Sequence, residues 1–335
     1  MHSTVAFLLT SLTLSTTAIV LPRDDVRLAV NPACGDYSSS SVKDVRGSLP
    51  DLKTFSTIVT FGDSYTDGGK HDGSPLGPAA INAPNPSAGG RHTNGPVWAE
   101  YLAQAHGATL KDYASTGAVV DVNQWPERSF PTSNDFLTQA NNFISQRNLT
   151  DPDSTLYVVF FGIGDYVESL GKELPNSNFY IIIVLDVDHI SSPDHNNSSL
   201  SLQTQHILYT INRLASSPIF GKNFLFIDNH GRGTETPAGL SFKSQIFKGM
   251  DSIQQLGLNT GFVDLSTMWD GVLSANSPGF KAFGYTSVEP CLVSSESTEG
   301  SCEDPEHAFY WFPGAPTTVT HKLISDYVQA VWDQC

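Results

Sequence analysis

The chain is short of charge, and of positive charge above all. Its 335 residues carry 18 Lys and Arg against 34 Asp and Glu, a formal net charge of -16. Charged residues make up 16%, where about 25% is typical. Uncharged polar residues, chiefly Ser, Thr and Asn, fill the gap, as is common in exported proteins. An excess of negative charge argues against nucleic acid or an anionic membrane surface as the main partner. Outside the N-terminus no apolar run is long enough to span a bilayer. Cysteine is scarce, and the spacing of Cys34, Cys291, Cys302 and Cys335 resembles no zinc site. Repeats and low-complexity tracts are missing, which ranks a structural wall or matrix protein last. Disorder is excluded because periodic apolar segments recur along the chain.

What is present begins with residues 1–18, expected to be a signal peptide: an apolar stretch from Val5 to Leu14 with small residues around Ala18. Its usual positive n-region is reduced to His2. The sequons Asn148-Leu-Thr150, Asn196-Asn-Ser198 and Asn197-Ser-Ser199 agree with a secreted, glycosylated protein. Four cysteines in such a chain suggest two disulfides, for which three connectivities exist. Cys291 and Cys302 flank a Ser/Glu-rich loop and make the natural local pair. Cys34 would then join Cys335 and tie the termini together.

Residues 19–53 read as a polar leader, and 54–335 as one domain with an insertion near 176–199. Strand patterns fall at Phe55–Phe61, Ala108–Tyr113, Leu156–Phe161, Asn223–Asp228 and Gly261–Leu265. Helical patterns lie between them at Val97–Ala105, Asp135–Gln146, Leu200–Leu214, Gly239–Gln255 and Thr318–Val331. That alternation predicts an α/β fold, a parallel sheet with helices on both faces. The long Gly/Pro/Asn loop from Lys70 to Gly95 leaves the first strand, where open sheets bind ligands. The run Phe179–Ile190 looks like a strand in a helix's place. Asp186, Asp188, His189, Asp194 and His195 invite a metal reading there, but a surface insertion or a gene-model error is preferred.

After the first strand comes Gly62-Asp63-Ser64-Tyr65-Thr66-Asp67. A Ser at a strand's end, just before a turn, exposes its hydroxyl at the sheet's carboxyl edge. With Thr93-Asn-Gly95-Pro-Val-Trp, Asp112-Tyr-Ala-Ser-Thr-Gly-Ala118, Phe161-Gly-Ile-Gly-Asp165-Tyr and Asp304-Pro-Glu-His to Pro316-Thr-Thr, this series resembles the GDSL, or SGNH, hydrolase family. The likeness covers roughly residues 54–332 and is nearest to secreted fungal carbohydrate esterases of acetylesterase type. It implies a three-layer αβα sandwich around a five-stranded parallel sheet, flavodoxin-like. It also implies hydrolysis of acyl or acetyl esters, possibly carbohydrate-linked, by a monomer with no cofactor or metal.

The resemblance makes Ser64 the nucleophile and gives the oxyanion to the N–H groups of Ser64 and Gly95. Three expected groups are missing. Gly164 stands where the family's oxyanion Asn belongs, Phe312 where its Asp belongs, and Ala315 where its His belongs. Loss of one oxyanion donor typically costs roughly 10²–10³ in turnover, and loss of the base costs more. Asp304 and His307 have Asp-x-x-His spacing eight residues upstream and are the candidate substitute dyad. His71 and His92, on the loop after Ser64, are further candidates. His321 is expected to face packing or solvent, and Asp63 to hold the turn. Two outcomes follow: an impaired or inactive esterase, or a non-catalytic relative that binds an acylated sugar or similar ligand.

Overall fold

The computed structural model describes residues 25–126, 128, 134–147, 150–169, 193–229, 232, 236–274 and 278–335, with side chains of the 193–215 helix described from Leu200, except residue 201. The expected signal peptide, the strand-like run 179–190, most of the 176–199 insertion and the side chains of all three sequon asparagines lie outside the described residues.

Five strands form the central sheet: β1 Thr57–Gly62, β2 Thr109–Asp112, β3 Thr155–Phe161, β4 Asn223–Asp228 and β5 Asn259–Asp264. All pair in parallel, in the order β2-β1-β3-β4-β5. Every residue of the inner strands β3 and β4 is buried, and β3 reads as a nearly continuous apolar run, because both faces are covered. In β3, Leu156, Val158 and Phe160 enter one core while Tyr157, Val159 and Phe161 enter the other. That period of two is the pleat itself.

One core is closed by α1 Trp98–His106, α6 Ser266–Leu273 and α7 Thr318–Gln334. The other is closed by α2 Phe136–Ser145, α4 Pro193–Ala215 and α5 Pro237–Gln255. A short α3, Ile163–Ser169, follows β3. The helix starts are chemically specified. Asp135 accepts from Thr138 N at α2, Thr236 from Gly239 N at α5, and Thr317 from Thr320 N at α7.

A second small sheet was not expected. It has β6 Ser287–Pro290, β7 Ala308–Phe312 and β8 Ala315–Pro316, ordered β6-β7-β8. Strands this short carry no period to read. The leader also differs from expectation, because its second half is packed into the domain. Val45 pairs with Phe262 of β5, and Leu49 and Leu52 are buried in the first core. Both cysteine pairs form, Cys34–Cys335 and Cys291–Cys302.

Candidate active site

The chain leaves β1 in one direction towards β2 and the sheet continues on the other side through β3. The carboxyl ends of β1 and β3 therefore form the topological switch point, the usual ligand crevice of such sheets. Ser64 sits there, half-buried in the turn that follows β1. Asp63 builds that turn: its carbonyl accepts from Thr66 N and Asp67 N, and its Oδ1 accepts from Tyr65 N at 3.0 Å. The expectation that Asp63 holds the turn describes these contacts.

Neither Ser64 N nor Gly95 N donates a hydrogen bond among the described residues, so both are free to face an oxyanion. Gly95 is fixed by a close approach. A Cβ there would come within 2.7 Å of Thr318 Oγ1. Asn94 Oδ1 accepts from Thr318 N, and Thr318 Oγ1 donates to Pro96 O, joining this segment to the start of α7.

Gly164 lies in the first turn of α3 against the chain at 118–119. A Cβ would meet Ala118 O at 2.7 Å and Val119 Cγ1 at 2.9 Å. A side chain at this position would have no room unless the chain at 118–119 shifted. Phe312 and Ala315 face each other across the β7–β8 turn, which Gly314 makes possible at φ +76°. Both are buried, in an apolar cluster with Leu292, Ala308, Trp311 and the Cys291–Cys302 bridge. Tyr65 Oη donates to Gly314 O at 2.8 Å, which sets this turn against the Ser64 turn.

Asp304 and His307 do come together, with Nδ1 2.9 Å from Oδ1. They sit before Ala308, however, and β7 runs from there to Phe312, about 13 Å of extended strand. The structure pairs the two residues but sets them at the far end of β7 from the 312–315 turn. His71 Nε2 lies 3.2 Å from Asp67 Oδ1, and that hydrogen bond raises the His71 pKa. Burial pushes the Asp67 carboxyl up, but its bonds from His71, Gly69 N and Thr116 N hold it below the ordinary value. His92 is half-buried with its ring edge-on to Phe312, centroids 5.5 Å apart. Its nearness to the 312–315 turn was not foreseen, since 220 positions of sequence separate the two residues. His321 is fully buried beside Tyr65, and burial pulls its pKa down to about 3. Among the described residues no group of three or more His, Cys, Asp or Glu could hold a metal.

Burial raises three carboxyls around this edge: Asp112 to about 8, Asp63 to about 7 and Asp165 to about 7. Asp165 is held by Trp125 Nε1 and Val120 N. The folded chain keeps protons on these groups at pH values where the unfolded chain, with Asp near 3.9, has released them. Stability therefore falls as pH rises through that interval. His321 opposes this on the acid side, because its unfolded ring protonates near 6.5 and its folded ring does not. Between about pH 6.5 and 8 the carboxyls dominate. The melting temperature should be lower at pH 8 than at pH 6.5; a flat or rising profile in thermal unfolding would contradict this assignment.

A five-stranded parallel sheet with a Gly-Asp-Ser turn at its switch point makes this an α/β chain. The chain belongs to the GDSL-like lipase/acylhydrolase family, whose model matches residues 58–274, more than half of its length. An acetylesterase of Hypocrea jecorina is 42% identical over 73 residues, which is 21% of this chain and 21% of that protein. Among solved structures, a family two carbohydrate esterase from Clostridium thermocellum, an active-site mutant in complex with an oligosaccharide, is 12% identical. The match covers 82% of this chain and 62% of that one, with a TM-score of 0.43. A family 2 carbohydrate esterase with a carbohydrate-binding domain, from Corynascus thermopiles, is 15% identical over 82% of this chain and 65% of that one, with a TM-score of 0.39.

Proposed function

We propose that this chain is a secreted GDSL-type ester hydrolase by descent whose turnover is severely impaired. The ancestral substrates in this reading are small acyl or acetyl esters, possibly carbohydrate-linked, handled by a monomer without a cofactor. One observation carries the reading. Ser64 Oγ has no hydrogen-bond partner among the described residues, and the turn where its base and orienting acid belong is the buried apolar pair Phe312 and Ala315. A serine hydroxyl with no base is a poor nucleophile near neutral pH. In a well-studied serine protease, loss of the His alone costs on the order of 10⁶ in turnover.

A second reading, a non-catalytic binder of acylated sugars, is favoured by the oxyanion side of the site. The Ser64 and Gly95 N–H groups are unengaged among the described residues although, on this reading, the base is gone. The two readings share a first test, hydrolysis of p-nitrophenyl acetate by the secreted protein beside its Ser64→Ala variant. Equal, near-background rates are expected. A clear Ser64-dependent rate would overturn the impaired reading and send the search for a base to His92, His71 and the Asp304/His307 pair.

A further inference from the structure

We propose that Arg232 anchors a carboxylate-binding subsite beside the 312–315 turn. Ligands of this site would thus carry a free carboxylate, as a uronic acid or as a simple organic acid. The inference rests on the reading of the Ser64 turn as a ligand site and names the chemistry that site selects.

Arg232 follows β4 at the carboxyl edge of the sheet and is only 7% exposed. Its Nη1 donates to Tyr65 Oη at 2.6 Å and to Gly314 O at 2.5 Å, and its guanidinium lies 5.5 Å from the centroid of the Tyr65 ring. Those contacts use one nitrogen. Nε and Nη2 donate to nothing among the described residues, yet neither belongs to the solvent-sealed, unpartnered atoms. That edge keeps some exposure on a side chain otherwise enclosed by protein.

Arg91 shows what such an edge does when it is occupied. It is also buried, and its Nε and Nη2 fork onto the two oxygens of Glu100 at 2.7 and 2.8 Å. The remaining Arg91 donors go to the carbonyls of Ala88, Gly89 and Gly77. Arg232 offers the same fork with no carboxylate of the described residues in it. Asp63 is within electrostatic reach but forms no ion pair with Arg232. A guanidinium so far removed from water is costly unless an anion compensates it. The planar fork matches a carboxylate bidentately, which an ammonium does not.

The surroundings suit such a ligand. The phenol of Tyr310 lies within electrostatic reach of the guanidinium, and a phenolic hydroxyl can donate to a carboxylate. Arg232 also holds φ at +44°, a backbone conformation that costs a residue with a Cβ and that recurs where function fixes geometry. Its position places the cation against the backbone of Gly314, one residue before the site of the missing His. The turn that lost a base thus faces a fixed positive charge.

The test is calorimetric titration of the full secreted chain with sodium glucuronate, sodium acetate and glucose at matched ionic strength. Binding of glucuronate, of acetate or of both is expected, and glucose should not bind. Glucuronate alone would identify an acidic sugar as the source of the carboxylate; equal binding of acetate would identify a simple acid. Arg232→Gln should weaken the interaction about 10- to 100-fold, the usual worth of a charged hydrogen-bonded pair. Arg232→Lys keeps the charge without the fork and should recover only part of it. If Arg232→Gln fails to fold, the wild-type comparison of glucuronate and acetate with glucose decides the matter by itself. Absence of carboxylate binding to the wild type, or unchanged binding in a folded Arg232→Gln, would reduce Arg232 to a clamp between Tyr65 and Gly314. The impaired-esterase reading fails on a different measurement, the Ser64-dependent rate, so the two failures are distinguishable.

Discussion

A Phe312→Asp, Ala315→His double variant is expected to hydrolyse p-nitrophenyl acetate roughly 10²–10⁴-fold faster than the parent chain, the usual contribution of a positioned general base. Residues 312 and 315 are direct partners across the β7–β8 turn, so an Asp and a His placed there would stand side by side. The turn is already fixed against the nucleophile segment through Tyr65 Oη and Gly314 O. Ala315→His alone should give only partial rescue, because a ring without its acid lacks its tautomer and orientation; in the serine triad that loss is worth about 10⁴. Stability will suffer, since truncating a buried Phe costs about 3–5 kcal/mol. Rates must therefore be expressed per folded molecule. Gly164→Asn, added as a third change, should contribute little or should destabilise, because its Cβ would lie 2.7 Å from Ala118 O. No Ser64-dependent gain in a folded double variant would sink the reading of 312 and 315 as the lost pair.

The second large effect concerns the disulfides. Cys34–Cys335 closes a loop of 301 residues and Cys291–Cys302 one of 11. On the chain-entropy account, removing the long-range bridge costs up to about 5 kcal/mol and removing the local one about 3 kcal/mol. A Cys34→Ser, Cys335→Ser variant should accordingly unfold at a markedly lower denaturant concentration than a Cys291→Ser, Cys302→Ser variant. The reverse order in urea unfolding would show that the local bridge acts by shaping the β6–β7 region, where its cluster holds Phe312, more than by restricting the unfolded chain.

The central sheet was legible because β1, β3 and β4 carry buried, largely apolar segments between turns. Asn223–Asp228 begins and ends where its pattern predicts. Helices α1, α2, α5 and α7 likewise lie within a few residues of their apolar periodicities. α3 was missed because it carries a glycine at its second position, Gly164, and spans only seven residues. The leader looked detached because its fully buried apolar residues, Val45, Leu49 and Leu52, are isolated among polar ones, and the run Val26–Val30 that also packs on the first core has no strand or helix period. At the site, Ser64 and Gly95 were legible as motif positions. Arg232 was not, because nothing in sequence tells that a lone Arg after a strand will be enclosed with half of its fork unused. The tightness at Gly164 was equally hidden, since it depends on the backbone at 118.

The antiparallel bridge from Val45 to Phe262 has a further consequence. β5 ends the central sheet, and an uncovered end strand offers its backbone N–H and C=O groups as a template for another chain. Val45 donates to Phe262 O and accepts from Phe262 N, at 2.8 and 2.7 Å, so it engages those groups from within the same molecule. Residues before β1 thereby act as a guard on the sheet's margin, and the Cys34–Cys335 bond keeps that guard attached when the domain breathes. Resistance to edge-to-edge association then depends on a stretch of chain that touches neither Ser64 nor the turn facing it.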